Sequence, residues 1–375
     1  MASIESQLSA FAEIANNPAA VLDKHLEAGK RVIGVGPYYV PEELVTAAGA
    51  VPFGVWGCVG PSIEAKRYFA PFYCSICQMT LEMGLTHKLD KLSGIMLTGL
   101  CDTLRAASQN FKAGVEQVPM IYVSHPQNRK GKAGFDYAVT SYTEVKRKVE
   151  ESAGAIIADE ALAEAIKLHN QWRAAMRYFV KLAGTHPGLV SPSQRVAVIN
   201  AGYYLEKAEH LAMVNELNGS LEGEIASSDG YKKVVVSGIY EDIPAVTEIL
   251  EQNKFAIVAD DIAKESRAFA LQVPESGDPV EALAKAWCAV EGDSVAFDPE
   301  KKHIKKVVDL AKENGAAGVV ILLAKFCDPE EFDAPLVVAA CKEAGIPVVT
   351  VEIDQSTETY EQARTQLETF ADLLG

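Results

Sequence analysis

Seven cysteines are spread over 375 residues, and three of them share a setting that the others lack. Cys74, Cys101 and Cys327 each fall in a loop, at the end of an expected strand or the start of an expected helix. Cys101-Asp102 and Cys327-Asp328 repeat one dipeptide, each just past an apolar run. Cys74-Ser75-Ile76-Cys77 is a C-x-x-C whose first residue precedes a helix, where the helix dipole favours a thiolate. Thiolates that converge from separate loops are what an iron–sulfur cluster requires. On spacing alone two readings stand: a convergent three-cysteine cluster, or three unrelated buried cysteines. The C-x-x-C follows two expected strands rather than the one a thioredoxin-like redox motif requires. A zinc site would need a second C-x-x-C or a His pair, and the sequence has neither. Cys77, Cys288 and Cys341 lie in helix-like stretches and read as small buried hydrophobes, while Cys58 fits either class.

Other groups offer weaker chemistry. His125 and Arg129, with Lys130 and Lys132, form a basic stretch that could meet a phosphate or be a solvated loop. Asp260-Asp261 and Glu265-Ser266-Arg267 sit beyond an expected strand end, as a metal or substrate contact or as a capped helix start. Gly34-Val35-Gly36 lacks the third glycine of a dinucleotide fingerprint and reads as a turn. The chain has no Ser-His-Asp order, no metalloprotease motif and no G-x-x-x-x-G-K-[ST] loop for ATP.

The elements that must position these groups follow from periodicity. Apolar runs predict four strands in the first part, at 31–36, 51–56, 93–98 and 119–124. Four more are predicted at 233–237, 255–259, 317–323 and 347–351, with helices between them and a last helix from about Thr357. Uninterrupted apolar strands that alternate with helices predict parallel sheets. No strand is expected from about 134 to 217, where Leu162, Ile166, Trp172, Met176 and Phe179 recur at helical spacing. A surface-like stretch from Asn218 to Gly230 then marks a boundary. The expected fold is α/β: two flavodoxin-like units, each a four-stranded parallel sheet flanked by helices, joined by a helical segment. Residues 1–133 carry Cys74 and Cys101, 134–225 connect, and 226–375 carry Cys327. In each unit the third strand ends in Cys-Asp, at the sheet edge where ligands bind in open α/β folds.

Composition narrows the function. Hydrophobic residues make up 49% and charged residues 23%, which fits a packed protein of more than one core. A net charge of −16 argues against nucleic acid or an anionic membrane as a partner. The polar, acidic start from Met1 to Asn17 is not a signal peptide, and no apolar run approaches the roughly 20 residues needed to span a bilayer. A cytoplasmic protein is expected, with its odd number of cysteines free of a disulfide framework.

Four stretches together resemble the 2-hydroxyacyl-CoA dehydratase family. They are Tyr73-Cys74-Ser75, Cys101-Asp102-Thr103-Leu104, His125-Pro126-Gln127-Asn128-Arg129 and Lys325-Phe326-Cys327-Asp328-Pro329-Glu330-Glu331. The likeness runs over essentially the whole chain, including Pro41-Glu42-Glu43 and Glu352-Ile353-Asp354-Gln355. Length and motifs match the smaller, β subunit, in a superfamily that also holds benzoyl-CoA reductase subunits. The resemblance implies a hydro-lyase that removes water from a 2-hydroxyacyl-CoA through a ketyl radical. It implies one 4Fe–4S cluster on Cys74, Cys101 and Cys327, with a non-cysteine ligand on the fourth iron and Cys77 outside the pattern. Its expected partners are a larger α subunit and a separate ATP-dependent iron–sulfur activator. Within it, this chain is expected to relay the electron and to wall the active site. His125, Arg129 and Arg267 are the candidates for substrate contact. The alternatives are a subunit of a ring-reducing acyl-CoA reductase and a non-catalytic electron-transfer subunit.

Overall fold

The computed structural model describes residues 3–357 and 359–375. Two amphipathic helices come first, α1 (Ile4–Asn16) and α2 (Pro18–Glu27). The first sheet holds β1 (Val32–Gly36), β2 (Val51–Gly54), β3 (Gly94–Thr98) and β4 (Met120–Val123). Between them run α3 (Glu42–Ala47), α4 (Ser75–Leu85) and α5 (Asp102–Gly114). Four helices follow without a strand: α6 (Lys132–Ala153), α7 (Asp159–Thr185), α8 (Pro192–Tyr204) and α9 (Lys207–Glu222). The second sheet holds β5 (Lys232–Gly238), β6 (Phe255–Ile262), β7 (Gly318–Ala324) and β8 (Val348–Ile353). Its helices are α10 (Pro244–Gln252), α11 (Ala268–Ala270), α12 (Pro279–Ala289), α13 (Lys302–Glu313), α14 (Asp328–Glu343) and α15 (Glu361–Leu374).

Both sheets are wholly parallel, in the orders β2-β1-β3-β4 and β6-β5-β7-β8. The winding therefore reverses between β1 and β3, and again between β5 and β7. Such a reversal leaves a crevice at the C-terminal ends of the two strands. Cys101 follows β3 and Cys327 follows β7, so each flanks the crevice of its own sheet. The two halves share one core. A single buried cluster runs from Ile33 and Val35 of β1 through Trp172 and Phe179 of α7 to Val234 and Val236 of β5. Leu162, Ile166, Trp172, Met176 and Phe179 are all buried, as their helical spacing predicts. Among the described residues no helix is long and apolar enough to cross a membrane.

Three local expectations change, and a fourth point is decided: Gly34-Val35-Gly36 lies inside the strand expected at 31–36 and is not the turn also read there. Its glycines serve close packing, since a Cβ on Gly36 would overlap the carbonyl oxygen of Val55. β6 runs on to Ile262, so Asp260 and Asp261 lie within it rather than beyond it. A register shift opposite Val234 and Val235 lets β6 stay paired with β5 while it bends. The stretch from Asn218 is not surface-like at its start, because α9 continues and buries Leu217, Asn218 and Leu221. The last helix starts at Glu361; Glu358 lies outside the described residues, as do Met1 and Ala2.

Gly36 therefore carries a test of the fold. Replacing it by Ala forces β1 and β2 apart at the edge that faces the cysteines. The expected cost is about 1–3 kcal/mol, read as a lower midpoint in denaturant. An unchanged midpoint would contradict the packing of β1 against Val55.

Candidate functional site

Cys74, Cys101 and Cys327 are all N-cap residues, of α4, α5 and α14 respectively. The first backbone N–H groups of a helix have no partner inside the helix, and the dipole adds positive potential there. Each helix end thus offsets part of the cost that burial imposes on a negative sulfur. At Cys101 the arrangement is explicit, because the Leu104 N–H donates to Sγ at 3.4 Å. Before Cys327 the chain turns sharply through Phe326, a left-handed residue with φ of 61°. Its N–H donates to Glu331 Oε1 at 2.9 Å, and Pro329 then starts the helix.

The three cysteines are half-buried, and Cys77 is fully buried beneath them. Their thiols are close enough to influence one another. The hydrogen-bonding Cys77 thiol holds the Cys74 pKa below its ordinary value, against the opposing effect of burial. Cys77 is pushed up by that same contact, then by burial and by Cys74, Cys101 and Cys327. Burial raises Cys101 to about 12. Burial, then Glu330 and Cys74, raise Cys327. Desolvated thiols of this kind lose their protons readily only to a coordinating metal. Among the described residues no group of three or more His, Cys, Asp or Glu side chains closes around a single ion. A four-iron cluster holds its thiolates farther apart than one ion does, and an all-sulfur donor set suits iron–sulfur rather than oxygen-seeking metals. The residues present therefore fit a cluster better than a lone cation.

The C-terminal edges of the two sheets are clasped together beside these cysteines. Ser75 Oγ lies 3.1 Å from the Tyr240 hydroxyl, past the end of β5. Gln355, past β8, donates its N–H to Ser75 Oγ at 3.1 Å and its Nε2 to the Trp56 carbonyl at 3.0 Å. On the other side, Tyr38 and Tyr39 both have positive φ and donate to Asp293 Oδ2 at 2.7 and 2.9 Å. Two consecutive left-handed tyrosines are strained, and the contacts to Asp293 hold them in place. They cover the end of β1. The cavity that reaches Cys77 is only about 10 Å³, too small for a substrate.

Of the candidate substrate contacts, Arg129 and Arg267 are already engaged, whereas His125 Nε2 is buried without a partner. Arg129 donates to the carbonyls of Val290 and Phe297 at 2.8 and 2.7 Å and covers the Trp287 ring. His125 is buried with its ring 4.4 Å from Trp287, and burial pulls its pKa down to about 3. Neither belongs to a solvated basic loop. Arg267 donates to Asp261 at 2.9 Å, Glu330 at 3.0 Å and Ser294 at 2.8 Å. Burial opposes its charge, yet Asp261 and Glu330 hold its pKa above the ordinary value. Arg267 also donates to the Tyr38 hydroxyl at 3.3 Å, so it joins the halves.

The sequence singled out Asp260 and Glu265 but not the arginine that binds them. Arg195 of α8 binds Glu241 at 2.6 Å, Asp260 at 2.5 Å and also Glu265, all buried. One guanidinium cannot neutralise three carboxylates. Burial raises Glu241 to about 7 despite Arg195, and burial likewise raises Glu265. Nothing local marks Arg195, because its partners lie in β6 and past the ends of β5 and β6. Ser75 and Gln355 stood inside recognised stretches, but their contacts span about the whole chain.

Comparison with known proteins follows the same outline. The family described as 2-hydroxyglutaryl-CoA dehydratase, D-component, matches residues 37–374. The β subunit of (R)-2-hydroxyglutaryl-CoA dehydratase from Acidaminococcus fermentans is 43% identical, over 99% of this chain and 100% of its own. The β subunit of (R)-phenyllactyl-CoA dehydratase from Clostridium sporogenes is 41% identical over 97% of both chains. One of the benzoyl-CoA reductase subunits from Thauera aromatica is 27% identical over 99% of this chain and 98% of its own.

Two outcomes test this site. Arg267→Leu leaves Glu330 buried without its guanidinium, while Asp261 keeps only Lys306 and His303, so stability should fall by about 3–5 kcal/mol in denaturant unfolding. Unchanged stability with weakened substrate binding would restore Arg267 as a substrate contact. The Arg195 cluster predicts a pH effect. Glu241 has a folded pKa of about 7 against an ordinary 4.5, so the folded state holds more protons between those values. Its stabilising contribution is complete below the lower value and is lost as pH rises through the upper one. Melting of the wild type should therefore drop relative to Glu241→Gln by a few degrees between about pH 5 and 8. Parallel profiles would refute the raised Glu241 pKa.

Proposed function

The chain belongs to the 2-hydroxyglutaryl-CoA dehydratase D-component family, and on that footing we propose that it is the β subunit of a 2-hydroxyacyl-CoA dehydratase. In this reading Cys74, Cys101 and Cys327 would hold a 4Fe–4S cluster, which would give the chain a group able to carry one electron. The observation that carries it is the meeting of three cysteine N-caps, drawn from both sheets, at one clasped edge. When bound, such a cluster supplies one-electron chemistry, which this elimination needs because the β-hydrogen of the thioester is not acidic enough for a side-chain base. The α4, α5 and α14 N-termini favour the thiolate state of its ligands. Ser75, Tyr240 and Gln355 fix the loops that carry Cys74 and shield them from water. Tyr38 and Tyr39 keep the end of β1 closed, so the acyl-CoA is held mainly by a larger α subunit, with this chain as a wall. Electrons come from a separate ATP-hydrolysing activator, since no phosphate-binding G-x-x-x-x-G-K-[ST] loop occurs in the sequence. Free cysteines throughout the chain suit the reducing cytoplasm.

Replacing Cys74, Cys101 or Cys327 by Ala should abolish iron and sulfide binding in anaerobically purified protein. Cys288→Ala and Cys341→Ala should leave both at wild-type content. Wild-type iron in the Cys327→Ala protein would sink the ligand assignment. Turnover should need the α subunit, reduced activator, ATP and Mg²⁺ together. Because the electron is recycled, dehydration should continue after ATP is removed. If it stops in proportion to ATP consumed and a reduced ring is the product, the reductase chemistry replaces this one.

A further inference from the structure

The ligand set leaves Cys77 unused, yet Cys77 touches it. It sits one turn into α4, three residues after the N-cap Cys74, and the two thiols are in hydrogen-bond contact. A four-iron cluster spreads its thiolates apart, so a thiol that touches Cys74 is badly placed as a further ligand. The contact suits a different bond. Residues three apart at a helix start have Cα atoms about 5 Å apart, inside the range that a disulfide needs. The two sulfurs differ in exposure. Cys74 is half-buried, whereas Cys77 is only 2% exposed, among Phe69, Leu81, Leu97 and Phe111. An oxidant from solvent therefore meets Cys74 first, with Cys77 behind it. The N-terminus of α4 supports the thiolate at Cys74, the form that reacts. The surrounding fold is not that of a thioredoxin, but a reachable thiol at a helix start backed by a buried one is the local arrangement of a dithiol redox pair. No other two of the seven cysteines share that spacing.

We propose that Cys77 is a resolving thiol for Cys74, closing a disulfide with it when no cluster is bound and a peroxide is present. The Cys74 thiolate attacks hydrogen peroxide and takes one oxygen as a sulfenic acid. The hydroxide released leaves as water, with the proton that the thiol gave up. The Cys77 thiol then attacks that sulfur. The S–O bond breaks, an S–S bond forms, and a second water leaves with the Cys77 proton. Two thiols and one peroxide become one disulfide and two waters, and two electrons pass from sulfur to oxygen. Left unresolved, the sulfenic acid goes on to a sulfinic acid, which a thiol reductant does not reverse. The disulfide is reversible, so Cys74 is kept for use. The pairing itself does not depend on what Cys74 binds; only its benefit to a cluster rests on the iron–sulfur reading.

The test uses the full chain, purified without oxygen, stripped of iron by a chelator and then exposed to hydrogen peroxide. Peptide mass spectrometry reads the state of Cys74 before and after dithiothreitol. The wild type should give a Cys74–Cys77 disulfide that dithiothreitol reverses. Cys77→Ala and Cys77→Val, one smaller and one larger than the native side chain, should instead give sulfinic Cys74. Its level should be about tenfold or more above that of the wild type and unchanged by dithiothreitol. The inference falls if no protein disulfide forms, if Cys74 pairs with Cys101 or Cys327 instead, or if sulfinic Cys74 is as abundant in the wild type as in the variants. Before stripping, both variants should carry wild-type iron. Iron lost from both with melting unchanged would make Cys77 a ligand and overturn its resolving role. An iron-free wild type would end the cluster reading and leave the disulfide result to decide the pairing by itself.

Discussion

Two parallel sheets set edge to edge at their C-terminal ends determine what the rest of this protein must do. Every parallel strand is followed by a helix, so that edge gathers helix N-termini with their unpaired N–H groups. Bringing two such edges together concentrates positive potential in one place. The chain answers it with sulfur at three caps, Cys74, Cys101 and Cys327, where Ser, Thr, Asn or Asp is usual. A cysteine is a poor cap for a neutral helix end, so its use three times at one meeting point indicates that the thiols serve something beyond the helices.

The same edges carry loops rich in polar groups, and burying them demands partners. Arg267 and Arg195 supply these. Each guanidinium reaches several acceptors at once, which the point charge of a lysine would not do with the same geometry. Arg267 ties β6 and α14 to the strained Tyr38, so the cover over β1 is held from the opposite half. Networks of this kind contribute little net stability compared with apolar packing, but they tolerate only one arrangement of the halves. They thereby hold the cysteine loops in register, while the core shared through α7 supplies the bulk of the cohesion.

The crevice of the first sheet is filled by Tyr38 and Tyr39, and open volume lies to the side, about 330 Å³ beside Tyr39, Arg267 and Asp293 and about 610 Å³ between α1, α8 and Gln355. A protein that bound its substrate over its own cysteines would need room there. The cavity that reaches Cys77 is correspondingly small, about 10 Å³.

Strands, sheet direction and the loop positions of the three cysteines were legible in the sequence, because apolar runs and helix-period spacing are local properties of the chain. So was the buried face of α7. The length of β6, the role of Gly36 and the fate of the basic stretch were not. Asp260 and Asp261 read as loop residues, since only a register shift against β5 keeps them in the strand. Arg129 read as a phosphate contact or a solvated residue, since its acceptors, the Val290 and Phe297 carbonyls, lie more than 160 residues further on. Side-chain types and spacing thus determined which thiols stand at element ends. Only the tertiary structure decided that these ends meet, because the contacts that close them, Ser75 to Gln355 and Tyr38 to Arg267, join residues 280 and 229 positions apart.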